Sequence, residues 1–164
     1  MFDAYLDIET TGLTSSFNKI TVVGIYLHKD QDSEERLIQL VGNEITDANI
    51  LFSLVDAREI FTYNGSRFDL PFIRDHVGVD LADIFKHTDL MYGCWKRNLR
   101  GGFKAVERQL GIPRKLKNIQ GIDAVRLWYR YREHEDIEAL NILLEYNKED
   151  VMNLKALRER LSMR

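Results

Sequence analysis

Asp7-Ile8-Glu9-Thr10-Thr11-Gly12-Leu13 closes the first apolar run of the chain, and its two acids decide how the rest is read. Residues 2–8 alternate as a β-strand does, and along a strand positions i and i+2 face the same way, so Asp7 and Glu9 converge on one spot. Like charges held that close repel unless a cation lies between them, and ligands made only of oxygen suit Mg²⁺ or Mn²⁺. The end of this strand is a candidate metal centre.

Composition narrows what kind of metal site this is. With Cys94 as the single cysteine, an internal disulfide and a cysteine-rich zinc site are both excluded. The histidines at 28, 76, 87 and 134 lack metal-ligand spacing, so oxygen must supply most of the ligands. No run approaches the apolar length of a membrane span and no signal-peptide pattern opens the chain, so a cytoplasmic protein without membrane contact is expected. The 164 residues suit one domain, 1–164, with a single core. The net charge of −3 conceals an asymmetry: eight basic residues between Lys96 and Lys117 face one acid, Glu107, while the remainder carries 15 bases and 25 acids. Such a segment reads either as a grip on a polyanion or as a solvated face.

Working outward from the first strand, further strands are expected at 20–28, 36–41 and 58–63, with a short one near 85–88. A polar loop spans 29–35, and three consecutive strands without helices make an antiparallel meander. Helices are expected at 47–56, 67–77, 89–98, 103–110, 122–132 and 135–161, with turns at Asn64-Gly65, Gly101-Gly102 and Gly111-Ile112-Pro113. The pattern alone supports an α/β or α+β fold.

Two further segments carry acids where a fold does not need them. In Thr62-Tyr63-Asn64-Gly65-Ser66-Arg67-Phe68-Asp69-Leu70-Pro71-Phe72-Ile73 the chain passes from a strand through an Asn-Gly turn into a helix, placing Asp69 at the helix start. Ser66-x-x-Asp69 also fits a capping box. In the last helix the stripe Leu143, Tyr146, Asp150, Leu154, Leu157, Leu161 is apolar but for one acid. A buried carboxylate is costly unless paired, protonated or bound to metal, so Asp150 needs a cationic partner, whether an ion or an internal salt bridge. Tyr146 lies one turn before it on the same face, as a core aromatic or as a group sharing the acid's site.

The three segments in this order resemble the three exonuclease motifs of the DEDD superfamily. The tyrosine variety is indicated, because the histidine variety has its histidine five residues before the last Asp, where this chain has Glu145. The second motif resembles the proofreading domain of B-family DNA polymerases. The whole chain, including His87-Thr88-Asp89-Leu90 and Gly102 through Pro113, is similar to the YprB-like ribonuclease H-like family. The resemblance implies a mixed five-stranded sheet flanked by helices. It implies that Asp7, Glu9, Asp69 and Asp150 bind two divalent ions, Mg²⁺ or Mn²⁺, and that Tyr146 orients the attacking water. It further assigns the terminal nucleotide to Thr10, Thr11 and Leu13, with Asn64 and Phe68 nearby. Leu13 reads equally as a core leucine.

The activity implied is 3′→5′ exonucleolytic hydrolysis of single-stranded nucleic acid from its 3′ end, DNA favoured over RNA, releasing nucleoside 5′-monophosphates. Arg97, Arg100 and Lys104, with Arg114, Lys115 and Lys117, are expected to track the backbone, and Trp95, Phe103 and Trp128 or Tyr129 to stack bases. An endonuclease on branched nucleic acid and a catalytically silent nucleic-acid-binding module are the rival readings.

Overall fold

A computed structural model describes residues 1–31 and 33–162. Asp32, inside the expected 29–35 loop, lies outside the described residues, as do Met163 and Arg164. Strand β1 (Phe2–Thr10) sends Phe2, Ala4, Leu6 and Ile8 into one core and Asp3, Tyr5, Asp7 and Glu9 to the opposite face. It pairs antiparallel with β2 (Ile20–Lys29), which pairs antiparallel with β3 (Glu34–Val41). On its other side β1 pairs in parallel with β4 (Ala57–Thr62), and β4 in parallel with β5 (Lys86–Asp89), giving the order β3-β2-β1-β4-β5.

Helices cover both faces of this α/β fold. Those of α1 (Asp47–Ser53), α2 (Asp69–Val77) and α3 (Leu81–Ile84) pack on the even face of β1 through Ile50, Leu70, Phe72, Ile73 and Leu81. The other face receives α4 (Leu90–Lys96), α5 (Phe103–Leu110), α6 (Gly121–His134) and α7 (Ile137–Ser162). Among the described residues no helix is long and apolar enough to cross a membrane.

The departures from the sequence expectation have local causes. The helix expected from 67 begins at Asp69, because 64–68 is a turn with Asn64 in the left-handed region at φ 59°. The expected capping box is absent: Phe68 is the cap residue, without a side-chain cap, and the Ser66 hydroxyl donates to Asp89 instead. The final helix starts at Ile137, since Glu135 ends α6 at φ 53° and the Asp136 carboxylate accepts from the Ala139 amide. The single turn α3 was not anticipated.

One glycine sets how closely α7 approaches the sheet. Gly24 on β2 lies opposite Asp7, and a Cβ there would stand 2.1 Å from Oδ1 of Asn147. Only a residue without a side chain admits that contact.

Candidate active site

The acids converge at the C-terminal ends of the parallel pair β1 and β4, the edge where open α/β sheets place their ligand crevices. Asp7 and Glu9 come from the odd face of β1, and Asp150 comes down on them from α7. One oxygen each from Asp7, Glu9 and Asp150 lies within 4.8 Å of the others. Asp69 stands beside this group at the start of α2, its Oδ2 accepting from the Ile8 amide at 3.1 Å.

The group is electrostatically overloaded. Burial lifts the Asp7 carboxyl well above the ordinary carboxylate range, and the charges of Asp150, Glu9 and Asp69 push it further. Glu9 is raised by burial, Asp150 and Asp69, with Lys104 and Asn147 opposing. Burial brings Asp69 up to about 7 despite the amides of Ile8 and of Asp69 itself. Asp150 rises to about 6, burial outweighing Arg114 and Lys104. Oε1 of Glu9 is buried without any hydrogen-bond partner, an uncommon condition in a folded protein. A divalent cation satisfies both the orphan oxygen and the repulsion, so the donor set fits Mg²⁺ or Mn²⁺.

Tyr146 is buried one turn from Asp150, on the wall of a pocket of about 430 Å³ shared with Asp7, Tyr63, Phe103, Lys104 and Asp150. Its hydroxyl accepts a 2.7 Å hydrogen bond from Nζ of Lys104, which also donates to the Ile119 carbonyl. Burial holds the tyrosine well above its ordinary pKa and Lys104 below its own. Glu145 is exposed and within 4.0 Å of Lys148, away from the pocket.

Arg114 corrects the expectation for the basic segment. Instead of tracking a backbone in solvent it is buried, gripping Glu107 through Nε and Nη2 at 2.8 and 2.6 Å and Asp150 through Nη2 at 2.5 Å. The reason is the acid that the segment seemed to waste: Glu107 lies on the apolar face of α5 with Val106 and Leu110, and needs a cation there. Asp150 therefore does have an internal salt bridge, as well as the acidic neighbours of a metal ligand.

The other expected residues fall in three places. Arg100 is exposed, while Arg97 is half-buried and donates to the Arg160 carbonyl. The Thr10 hydroxyl donates to the Gly12 carbonyl and that of Thr11 to Asn18, so both brace the 11–19 loop, whose Leu13 is 85% exposed and not a core leucine. Phe68 packs on Phe72, with centroids 5.4 Å apart, and the Asn64 amide donates to Asp89. Phe103 stacks on Tyr63 at the pocket rim, whereas Trp128 and Tyr129 line a separate cleft with Phe17 and Lys19.

Two supporting residues were given no role in the sequence reading. Asn147 is fully buried and donates from Nδ2 to both the carbonyl and the carboxylate of Asp7. Its signal was its place on the Leu143–Tyr146–Asp150 face of the last helix, together with a glycine inside a strand. Asp89 caps the 64–66 turn, accepting from the amides of Asn64 and Ser66 and from the Ser66 hydroxyl.

An acidic cleft at the ends of β1 and β4, on a sheet of this order, is the architecture of a ribonuclease H-like domain. The chain belongs to the RNase H superfamily, whose profile matches residues 4–162. It is 31% identical over 168 aligned positions to the uncharacterized protein YprB of Bacillus subtilis (strain 168), covering 93% of this chain and spanning 40% of that protein's length. Among solved structures it is similar to the apo form of a nuclease (TM-score 0.63, 22% identity, 99% of this chain and 72% of that one). NrnC of Brucella melitensis gives a TM-score of 0.61 at 21% identity with the same coverage. The NrnC structure with bound Mg²⁺ gives 0.50 at 19% identity, over 98% of this chain and 84% of that one.

Proposed function

We propose that this chain is a metal-dependent 3′→5′ exonuclease of the tyrosine type, releasing nucleoside 5′-monophosphates from single-stranded nucleic acid. The observation that carries the reading is the buried Glu9 carboxylate, one oxygen of which has no hydrogen-bond partner, inside a group of mutually repelling acids. Asp7, Glu9, Asp69 and Asp150 would hold two divalent ions, Mg²⁺ or Mn²⁺. Bound there, the ions supply electrophilic stabilisation of the scissile phosphate and lower the pKa of water. The Mg²⁺-bound state of NrnC, a protein of the same fold, supports the choice of metal.

The chain's own residues divide the remaining work. Tyr146 is too weak an acid to serve as a base near neutral pH, and its role is positional. Because Lys104 donates into its oxygen, the tyrosine's own proton is free to point at a water and hold it in line with phosphorus. Lys104 sits where it also attracts the phosphate, and Asn147 fixes Asp7 in orientation. Thr10, Thr11, Leu13, Asn64 and Phe68 surround the terminal nucleotide, and Arg97 and Arg100 attract the strand behind it.

The test is an end-labelled single strand, as DNA and as RNA, incubated with Mg²⁺ or Mn²⁺ beside a circular strand. A ladder descending by single nucleotides, with 5′-monophosphate product and an intact circle, is expected. Cutting of the circle would make the protein an endonuclease, and binding without cleavage of any substrate would make it a silent module.

A further inference from the structure

Beside the acidic pocket lies an exposed cluster that neither the core nor the metal site explains. On α4, Met91 and Cys94 face the core, while Tyr92 and Trp95 occupy the other side, meeting edge to face with centroids 5.4 Å apart. Tyr92 keeps 38% of its surface in solvent. The Arg67 guanidinium stands 5.9 Å from the Tyr92 ring and 5.5 Å from that of Trp95, and Arg100 stands 5.9 Å from Trp95. These are long, weak cation–π contacts that leave the guanidinium donors available. Neither arginine reaches a carboxylate among the described residues, and exposed Lys96 adds charge alongside.

The cluster is continuous with the pocket on two sides. Arg67 rides on the turn that Asp89 fixes and lies two residues before Asp69. Arg100 precedes Gly101, whose carbonyl accepts from the Tyr63 hydroxyl at 2.9 Å; Tyr63 in turn stacks on Phe103 at 5.1 Å, and both rings line the pocket wall. Aromatic edges beside arginines on such a rim match a single strand, because every base offers a π-face for stacking and every linkage an anionic phosphate.

We propose that Tyr92, Trp95, Arg67 and Arg100 form an upstream subsite that grips single-stranded nucleic acid 5′ of the end held in the acidic pocket. A base stacks on the aromatic pair, and the arginines take flanking phosphates. The direction of the strand rests on the exonuclease reading, whereas its occupancy of the cluster does not.

The experiment uses the full chain in EDTA, where nothing turns over, with Trp128→Phe as background so that Trp95 is the sole indole. A thymidine strand of about 12 nucleotides should quench Trp95 emission saturably, and Trp95→Leu or the pair Arg67→Gln with Arg100→Gln should weaken binding, read by the anisotropy of a dye-labelled strand, by about 10-fold or more. With metal, the loss should appear in KM for that strand and not in kcat, and a dinucleotide should bind the parent without quenching. Unchanged emission together with affinity within about twofold of the parent would overturn the subsite. Quenching without cleavage by either metal would support the subsite and refute the exonuclease, and cleavage without any Trp95 effect would do the reverse.

Discussion

Asp3 and Asp7 project from the same face of β1, and each meets α7, yet their surroundings are opposite. Asp3 is held by Arg58 at 2.7 and 3.1 Å and by Arg158 at 2.5 Å, and against burial, which alone would raise it, the two arginines bring its carboxyl below the ordinary range. Asp7 is driven up, by burial first and then by the charges of Asp150, Glu9 and Asp69. The geometry is shared: four strand residues cover about 13 Å, and the eight helical residues from Asp150 to Arg158 about 12 Å, so an antiparallel α7 presents one residue to each end of the strand. The contrast separates two kinds of carboxylate on one strand face. One whose oxygens are all answered by guanidinium is finished as structure, and one crowded by other carboxylates is built for something that arrives later.

The largest expected effect breaks the two ends apart. Asp7→Ala or Asp150→Ala should lower turnover by about 1,000-fold or more, the scale of losing metal catalysis, with a melting temperature in EDTA equal to or above the parent's. Asp3→Ala should do the reverse, costing about 1–3 kcal/mol of stability while the folded protein keeps its turnover. Parallel denaturation and rate measurements check both, and a stable, inactive Asp3 variant would erase the distinction.

Within the acidic end, Tyr146→Phe keeps the ring and removes one hydrogen bond, so the rate should fall about 10- to 1,000-fold. Glu145→Gln should be nearly neutral, since that side chain is exposed. Equal losses in the two variants would remove Tyr146 from the mechanism.

Arg114 is where the acidic end most resembles the Asp3 end. Arg114→Met leaves Glu107 and Asp150 buried without their cation, which should cost about 3–5 kcal/mol. In EDTA that corresponds to a melting temperature lower by roughly 6–20 °C, with part of the loss recovered on adding Mn²⁺. A shift under about 2 °C would show the pair to be dispensable.

Acidity should sharpen the contrast further. For a carboxyl whose folded pKa is raised, the stabilising contribution is complete below the unfolded pKa and lost as pH rises through the folded one. With Asp150 near 6 and Asp69 near 7, the protein in EDTA should melt a few degrees higher at pH about 5 than at pH about 8. Saturating Mg²⁺ or Mn²⁺ should flatten that slope. The opposite slope in EDTA would mean that the acids are already neutralised.

The smallest effect concerns the outer basic face. Neutralising Lys115 and Lys117 together should reduce the salt slope of strand binding by about 0.7 per lost phosphate contact and leave turnover at saturation unchanged. An unaltered slope would return these lysines to the solvated surface.

The elements were legible because strand alternation, the Asn-Gly turn and the interrupted stripe on the last helix are local signals, and strand and helix bounds fell within a few residues; their arrangement in one mixed five-stranded sheet came from the family resemblance, because strand partners are set by contacts distant in the chain. Asp7 and Glu9 were legible as a convergent pair because the strand period fixes which way they point, whereas Asp150 was joined to them only through the family resemblance, since no local period relates residues so far apart in the chain. Arg114 was not, because a run of lysines and arginines reads as solvated until the partner of Glu107 is known, and that partner lies seven residues away across a Gly-Ile-Pro turn. Lys104 was placed in the right region, but nothing in the sequence aims it at Tyr146, a residue 42 positions distant. The capping box failed because a competing acceptor, Asp89, is 23 residues from Ser66 and invisible to local pattern.

Gly24 carries a consequence for how loss of activity would arise in copies of this gene. It supplies no ligand atom, yet its bare α-carbon opposite Asp7 leaves room for Asn147, which orients that acid. A single codon change there would fill that space and displace the amide while every acidic signature stayed intact. Inheritance of all four acids is therefore an incomplete test of whether a descendant still works, and the strand glycine belongs beside them in any such inspection.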